Sequence, residues 1–345
     1  MRTSTADSLA ERTTLRLGGP ARRLVEAVTG DEVVSVVAAA DDTGEPVLVL
    51  GGGSNLVVAD EGFPGTVLEV ATRGIELDVG AGGEATVRVA SGENWDGLVA
   101  RAVDHGWIGV EALSGIPGRV GAVPIQNVGA YGQEVADSIA TVQLWDRRER
   151  CHRSLTAGDC GFGYRSSRFK VEPERFVVLS VTFRFRLGEL AEPIQYAELA
   201  RALGAELGQR LPAKDVREAV LRLRRSKGMV LDDEDPDTWS AGSFFTNPLL
   251  SNQQAAQLPE AAPRWPQPDG RVKISAAWLI GTAGFGKGYG RGRVAVSTKH
   301  TLALTNRGGA STEELLELAR EIRDGVQREF GVALVNEPVT VGCQL

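Results

Sequence analysis

Metal-ligating and disulfide-forming side chains are scarce in this chain. Its 345 residues hold three cysteines, Cys151, Cys160 and Cys343, and three histidines, His105, His152 and His300. No two cysteines stand in a C-x-x-C spacing, so neither a disulfide framework nor a dedicated metal centre is expected, and a reducing cytoplasm fits. No run of about 18 apolar residues occurs, which argues against a helical membrane span. The polar opening MRTSTADSLAERTTLRLGG lacks the apolar core of a secretion signal. Positive charge is not in excess. The net charge is −7 and the isoelectric point is near 5.3, a balance unsuited to wrapping nucleic acid. An anionic small ligand stays compatible, because a few local arginines can build a positive pocket. The chain also has no fixed-period repeat and no low-complexity tract.

What it has in abundance is glycine: 42 residues, many in short clusters where backbone can approach a ligand closely or adopt positive φ. A hydrophobic content of 42% with 24% charge is ordinary for a soluble globular protein with a sizeable core. At roughly 150 residues per domain the length predicts two or three domains. Helical spacing and caps predict helices over 31–42, over 95–106 ending at Gly106, and over 213–228 with a basic C-terminal end that suits the helix dipole. Further helices are predicted in VKISAAWLIGTAG and over 311–331, the latter with Ser311 or Thr312 as cap. Asn247 with Pro248 is expected to start another, through TNPLLSNQQAAQL. Alternation predicts strands at 65–70, 85–92 and 175–187. PVLVLGGGSNLVV (46–58) reads as a strand, a glycine turn and a second apolar run. GRVAVSTKHTLALTN reads as strands, which puts His300 in one, and VALVNEPVTVG closes the chain as another. The acidic, proline-containing MVLDDEDPDTWSAG marks a boundary near 228–240. This mixture, without a regular βαβ repeat, predicts an α+β fold.

Several stretches bear on chemistry. GGGSNL (Gly51–Leu56) follows a strand, yet the dinucleotide fingerprint G-x-G-x-x-G needs glycine where Leu56 stands, and no helical run follows. A Rossmann site is therefore excluded, while a hairpin turn and a backbone cradle for pyrophosphate both stay open. GTAGFGKG (281–288) nearly matches a P-loop, but Gly288 replaces the hydroxyl that would hold Mg²⁺, and a helix precedes the loop instead of following it. A flexible glycine loop is the better reading. In FGYRSSRFK, Arg165, Arg168 and Lys170 lie beside aromatics, as a solvated basic loop or as a clamp for carboxylate or phosphate. Glu337 in LVNEPV is either a strand-edge carboxylate or a carboxyl whose pKa burial raises. In SAGSFFTNP, Ser243 sits in the kind of Gly/Pro-bounded turn where serine usually bonds nearby backbone. No G-x-S-x-G occurs, so a Ser-His-Asp hydrolase is not supported.

In chain order, TTLRLGGPA, VLVLGGGSNLVVAD, SGIPGRVGAVPIQNVGAYG, GYRSSRFK, AGSFFTNP and NEPV resemble the UDP-N-acetylenolpyruvoylglucosamine reductases, flavoenzymes that complete UDP-N-acetylmuramate for bacterial peptidoglycan. The resemblance runs almost end to end. PIQYAELA, around Tyr196, is similar to the substrate-covering loop of the longer of two subtypes. Thr246 departs from the lysine of many relatives, and His300 from the glutamine of some. The resemblance implies the FAD-binding fold of the vanillyl-alcohol oxidase (PCMH) type with a separate C-terminal substrate-binding lobe. Residues 1–70 and 71–228 would be two FAD-binding lobes, 229–330 the substrate-binding domain, and 331–345 a strand returning to the active site.

It further implies non-covalent FAD on Gly51, Gly52, Gly53, Ser54, Asn55 and Leu56, and on Gly115, Ile116, Pro117, Gly118, Gly121, Ala122, Gln126, Asn127, Gly129 and Ala130. Neither tract contains a histidine or cysteine for a covalent flavin link. The implied reaction takes a hydride from NADPH to FAD and then to the terminal vinyl carbon of UDP-N-acetylglucosamine enolpyruvate. Charge that builds on the neighbouring carbon and its carboxylate must be stabilised and then protonated. By resemblance Arg165 forks onto the carboxylate, Glu337 binds its other oxygen, and Ser243 donates the proton. Arg224, Lys227 and Lys273 are candidates for the diphosphate. Tyr131, Tyr196, Asn247 and His300 are expected substrate contacts. The expected enzyme is a cytoplasmic monomer without nucleic-acid or membrane partners, serving cell-wall synthesis, cell shape and cell division. Two other readings are an FAD-linked sugar or lactone oxidase of the same fold, which would lack the ordered Arg165, Ser243 and Glu337, and a non-catalytic nucleotide-sugar binding protein.

Overall fold

The twelve residues of Phe176–Leu187 alternate apolar and polar side chains and form the longest strand. Val181, Phe183 and Phe185 on one of its faces are wholly buried. In the computed structural model, which describes residues 1–79 and 83–345, this strand belongs to the first of two units. That unit comprises Met1–Asp7, Ala21–Gly52 and Pro64–Ser226; the second comprises Ser8–Pro20, Gly53–Phe63 and Lys227–Leu345.

In the first unit, Phe176–Leu187 pairs antiparallel with Ile139–Asp146 on one side and Glu84–Ala90 on the other. Cys151–Thr156 and Ile75–Val79 extend the sheet outward, and Trp107–Ile108 pairs with its C-terminal end. Helix Trp95–Asp104 starts where Asn94 Oδ1 accepts from the Gly97 amide. It lays Trp95, Leu98, Val99 and Ala102 on this sheet, with the Trp95 and Phe183 rings 6.0 Å apart. A second sheet runs in the order Arg2–Ser4, Ala21–Ala27, Phe63–Val70, Val47–Leu50. Helix Gly30–Thr43, opened by a Thr29/Glu32 capping box and closed by left-handed Gly44, packs Val33, Val36 and Val37 against Val25, Leu68 and Val70. Helices Ala197–Leu203 and Ala213–Ser226 share a third cluster with Val103 and Ile108.

The second unit is organised by the 19-residue helix Thr312–Phe330, whose Ser311/Glu314 capping box fulfils the sequence expectation. Its inner face, Leu315, Leu316, Ala319, Ile322 and Val326, joins Phe244, Phe245, Leu279, Ile280 and Leu304 in one core. Two small antiparallel sheets flank this core: Leu249–Leu250, Val272–Ile274 and Arg264–Pro266, and Gly290–Arg291, Val294–Val296 and Leu304–Asn306. Leu56–Val58 pairs in parallel with Val339–Val341.

The structure revises several expectations. Gly51–Asn55 is not a hairpin turn, because Val47–Leu50 pairs in parallel with Phe63–Val70 while Leu56–Val58 takes the C-terminal strand as partner. Asn247 does not start the next helix. Leu249 and Leu250 pair with Lys273 and Val272, and Ser251, boxed with Gln254, caps helix Asn252–Ala256. Asn247 Oδ1 instead accepts the Ala276 amide at 2.9 Å, serving the helix Ala276–Thr282. His300 lies in a turn, not a strand, because the Ser297 hydroxyl accepts the Lys299 and His300 amides and ends the strand there. The glycine loop at 281–288 is pinned by Phe285, which is buried in the core against Tyr289, at a ring separation of 4.9 Å.

A buried charge cluster joins two neighbouring strands of the first unit. Asp146 is 0% exposed; its carboxylate accepts Arg175 Nη2 at 2.9 Å and the amides of Arg148 and Glu149, and it forms an ion pair with Arg153, whose Nε lies 3.2 Å away. The Arg175 guanidinium holds the Asp146 carboxyl below its ordinary value, against the opposing effect of burial. A carboxyl lowered in the folded state contributes stability that is complete above the unfolded value near 3.9 and is lost as pH falls through the folded one. Asp146→Ala is expected to cost about 3 kcal/mol at neutral pH, the low end for breaking a buried pair, since Arg175 keeps some exposure. Urea unfolding of wild type and variant should show this gap undiminished down to about pH 4 and narrowing below it.

Candidate functional site

The two glycine tracts expected at the flavin meet backbone to backbone in the first unit. A Cβ on Gly52 would stand 2.7 Å from Gly118 Cα, and one on Gly121 would stand 2.4 Å from Ser91 Cβ. Gly118 has φ +126, a backbone conformation that favours glycine, so that position is restricted as well. The tract is held against the start of helix Trp95–Asp104. The Trp95 amide donates to Gly118 O at 3.1 Å, Val120 N to Glu93 O at 2.9 Å and Gly121 N to Ser91 O at 2.8 Å. The Gly115 amide donates to Asp96 Oδ1 at 2.6 Å, and Arg217 clamps the same carboxylate with Nη1 at 2.6 Å and Nη2 at 3.0 Å. Ile116 and Pro117 bridge Gly115 and Gly118, and Ala122 ends a single 3₁₀ turn from Val120. Gly51, Gly52 and Gly118 are half-buried backbone without side chains, of the kind that can cradle a pyrophosphate. In the second unit Gly53 is as constrained: φ is +59, and a Cβ would stand 1.8 Å from Arg12 O.

Six non-glycine residues among those described have positive φ, and three of them, Asn127, Tyr131 and Arg165, were singled out from sequence. A left-handed conformation costs on the order of 1 kcal/mol for such residues, so the surroundings must hold each of them in place. Gly129–Ala130 pairs with Gln133–Glu134, and the intervening Tyr131 and Gly132 are both left-handed, as a type I′ hairpin demands. Asn127 is buried, and its side chain is engaged by the protein: Nδ2 donates to Glu134 Oε2 at 2.6 Å and Gly163 O at 3.2 Å, while Oδ1 accepts the Ala136 amide. Gln126 precedes it in the same tract. Arg165 leaves a turn closed by reciprocal Gly163–Ser166 backbone bonds. Its Nη2 donates to Gly129 O at 2.7 Å and Nη1 to Asn127 O at 3.4 Å. The basic segment is therefore no solvated loop: Ser167 and Phe169 are buried, and the Ser167 hydroxyl caps the short helix Arg168–Val171.

Tyr131 meets Tyr196 edge to face at 5.6 Å, bringing together the hairpin tip and the segment read as a covering loop. Burial pushes the Tyr131 phenol up to about 12, with Arg224 opposing. Burial likewise lowers the Arg224 guanidinium, with Tyr131 and Asp96 opposing. Asp96 and Arg217 were not singled out from sequence. An aspartate at the start of a helix ordinarily reads as a dipole partner, and nothing local in the sequence ties it to Gly115.

In the second unit the Ser243 and Glu337 segments run side by side. The Glu337 amide donates to Phe244 O at 2.8 Å and the Thr246 amide to Val335 O at 3.0 Å, with a bridge between Phe245 and Asn336. Gly242 is left-handed, and the Phe244 and Phe245 rings are each 1% exposed and 5.2 Å apart, so Ser243 stands between a free-turning glycine and a locked apolar pair. Asn55 grips the Glu337 segment: its carbonyl accepts the Val339 amide at 2.9 Å, and its Nδ2 points to Glu337 O at 3.5 Å. Ser54 and Leu56 flank it.

The His300 turn braces the Ser243 loop from another direction. The Phe244 amide donates to Leu302 O at 2.7 Å, and the Leu302 amide to His300 Nδ1 at 3.1 Å, which places the imidazole proton on Nε2. Buried Asp237 accepts both the amide and the hydroxyl of Thr298 and pairs with Arg307. Lys273, on strand Val272–Ile274, has Nζ 5.9 Å from the Trp265 ring. Lys227 opens the last segment of the unit, just before left-handed Gly228.

A family described as an FAD binding domain matches residues 21–154, and the C-terminal domain of UDP-N-acetylenolpyruvoylglucosamine reductase matches 234–341. UDP-N-acetylenolpyruvoylglucosamine reductase of Streptomyces coelicolor is 58% identical, over 98% of this chain and 90% of the relative. That of Thermobifida fusca is 56% identical, over 98% and 97%. The crystal structure of UDP-N-acetylenolpyruvylglucosamine reductase from Thermus caldophilus covers 99% of both chains with a TM-score of 0.66 at 27% identity. The fold is the expected FAD-binding α+β architecture, and the chain belongs to the UDP-N-acetylenolpyruvoylglucosamine reductase family.

Proposed function

We propose that the chain is an NADPH-dependent flavoenzyme that reduces the enolpyruvyl group of UDP-N-acetylglucosamine enolpyruvate to give UDP-N-acetylmuramate, in cell-wall synthesis. The observation that carries this reading is family membership over nearly the whole chain, joined to the backbone cradle at Gly52 and Gly118. The chemistry supplied by bound FAD is hydride transfer, from NADPH and then to the terminal vinyl carbon. Gly51–Asn55 and the tract from Gly115 to Ala130 hold the flavin through backbone amides. Residues 1–70 and 71–228 act as the flavin lobes, 229–330 as the substrate domain and 331–345 as the returning strand.

Arg165 binds the substrate carboxylate as its charge grows. Its turn and the Gly129 and Asn127 carbonyls fix the direction of the guanidinium, so little order has to be imposed on it during reaction. Glu337, held by the Phe244 carbonyl, takes the other carboxylate oxygen as a protonated donor. Ser243 gives its proton to the carbon next to the carboxylate. That carbon is strongly basic once it carries charge, so an ordinary hydroxyl suffices. Tyr131 keeps its proton at every working pH, because its phenol is raised to about 12, and it acts as a donor to substrate beside Tyr196. The segment around Tyr196 supports membership of the longer subtype. Arg224, Lys227 and Lys273 hold the diphosphate, and Asn247 and His300 contact the sugar nucleotide. The enzyme works as a cytoplasmic monomer, and through the cell wall it serves cell shape and division.

Purified protein should be yellow, and acid precipitation should release all the flavin; colour kept in the pellet would mean a covalent link. Arg165→Lys keeps the charge and loses the fork. NADPH should still reduce the flavin of this variant at near the normal rate, while reoxidation by the enolpyruvyl substrate slows strongly. Equal loss in both half-reactions would make Arg165 a support of the fold or flavin. Ser243→Ala should slow reoxidation by at least about 10² to 10⁴, the range of general acid catalysis, with NADPH reduction little changed. Ser243→Cys, which retains a donor, should recover part of that loss. Stopped-flow measurement of the two half-reactions reads both variants, and reoxidation of Ser243→Ala at the wild-type rate would reduce Ser243 to a loop residue.

A further inference from the structure

The carboxylate of Asp96 sits where two elements of the first unit meet. It lies in the first turn of helix Trp95–Asp104, where the helix dipole favours an anion. Oδ1 accepts two hydrogen bonds of 2.6 Å, from the Gly115 amide and from Arg217 Nη1, and Oδ2 accepts Arg217 Nη2 at 3.0 Å. The Arg217 side chain is 16% exposed and that of Asp96 33%, so the fork is largely shielded from water. A bidentate arginine–carboxylate pair fixes direction as well as distance.

The two partners of Asp96 lead to different ligands. Gly115, left-handed at φ +72, begins the stretch that reaches Gly118 and its approach to Gly52. Bonds from the same helix start hold that stretch at Gly118 and Arg119, and Asp96 adds a tie at the Gly115 end. Arg217 stands on helix Ala213–Ser226, two turns before Arg224 on the same face. We propose that Asp96 is a positioning residue for both ligands, fixing the Gly115 end of the flavin tract with one oxygen and, through the Arg217 fork, the helix that presents Arg224 to the diphosphate. Burial pushes the Asp96 carboxyl up, but Arg217 and the Gly115 amide outweigh it, so the group is an anion at every working pH. Flavin loss should therefore loosen the substrate arginine, and the tract and the helix should respond to the same substitution.

The inference rests on the reading of the glycine tract as the flavin site, and the test separates the two. FAD release from holoenzyme is followed by the rise of flavin fluorescence on dilution, with FAD-saturated thermal unfolding as the measure of fold. Asp96→Ala should weaken FAD roughly ten- to a hundredfold, the range for a hydrogen bond to a charged group, and raise KM for the enolpyruvyl substrate. Asp96→Asn keeps an acceptor for Gly115 and should release FAD more slowly than the alanine variant. Arg217→Gln should raise the substrate KM more than it weakens FAD. FAD release at the wild-type rate in Asp96→Ala, with only a lowered unfolding temperature, would make the pair a plain tie between helices and overturn the proposal. Gly118→Ala tests the foundation: FAD held as tightly as in wild type would overturn the flavin reading and the proposal with it.

Discussion

The approach of two backbones at Gly52 and Gly118 is the constraint on which the first unit turns. With a Cβ on Gly52 only 2.7 Å from Gly118 Cα, neither tract can carry a side chain there, and each fixes where the other runs. The strand Val47–Leu50 must end at this point, the Gly115–Ala122 stretch must follow the start of helix Trp95–Asp104, and Ser91 must face Gly121. The geometry that forbids side chains also leaves bare backbone at the contact, the kind of surface that can cradle a phosphate.

A second theme is local cost placed beside candidate chemistry. Tyr131 and Arg165 both adopt φ values that favour glycine, and in both the alternative would turn the side chain elsewhere. The surroundings hold them there: the Gly129–Glu134 hairpin for Tyr131, and the reciprocal Gly163–Ser166 bonds for Arg165. In the second unit rigidity comes instead from packing, with Phe244 and Phe245 sunk in the core on one side of Ser243 and the Glu337 segment bonded alongside.

Much of this was legible in the sequence, for physical reasons. Caps and periodicity located the helices at 30–43, 95–104, 213–226, 276–282 and 312–330, because each has an amphipathic face and a polar starter or a glycine stop. The glycine tracts were legible because close backbone approach restricts residue type, while the roles of Arg165, Ser243 and Glu337 rested on the family resemblance alone. What could not be read was pairing at a distance. The run after GGGSN resembles a hairpin partner, and only the fold shows it bonded to the C-terminal strand. Asn247 has the features of a cap, yet Ser251 was better placed to be one. Asp96 looks like any helix-starting acid until Gly115 and Arg217 are found on its oxygens.

The parallel pairing of Leu56–Val58 with Val339–Val341 carries a consequence for the timing of folding. It joins segments separated by nearly the whole chain, so its loop closes only after both flanks exist, a contact of high sequence separation that forms slowly. During synthesis, Leu56 and Val57 leave the ribosome long before their partner strand does. The Glu337 segment, bonded to Phe244 and next to that strand, is seated only after both neighbours exist. A nascent chain can thus order much of its second unit while Leu56–Val58 still waits for its partner strand, so closure of this pair is a late step of folding.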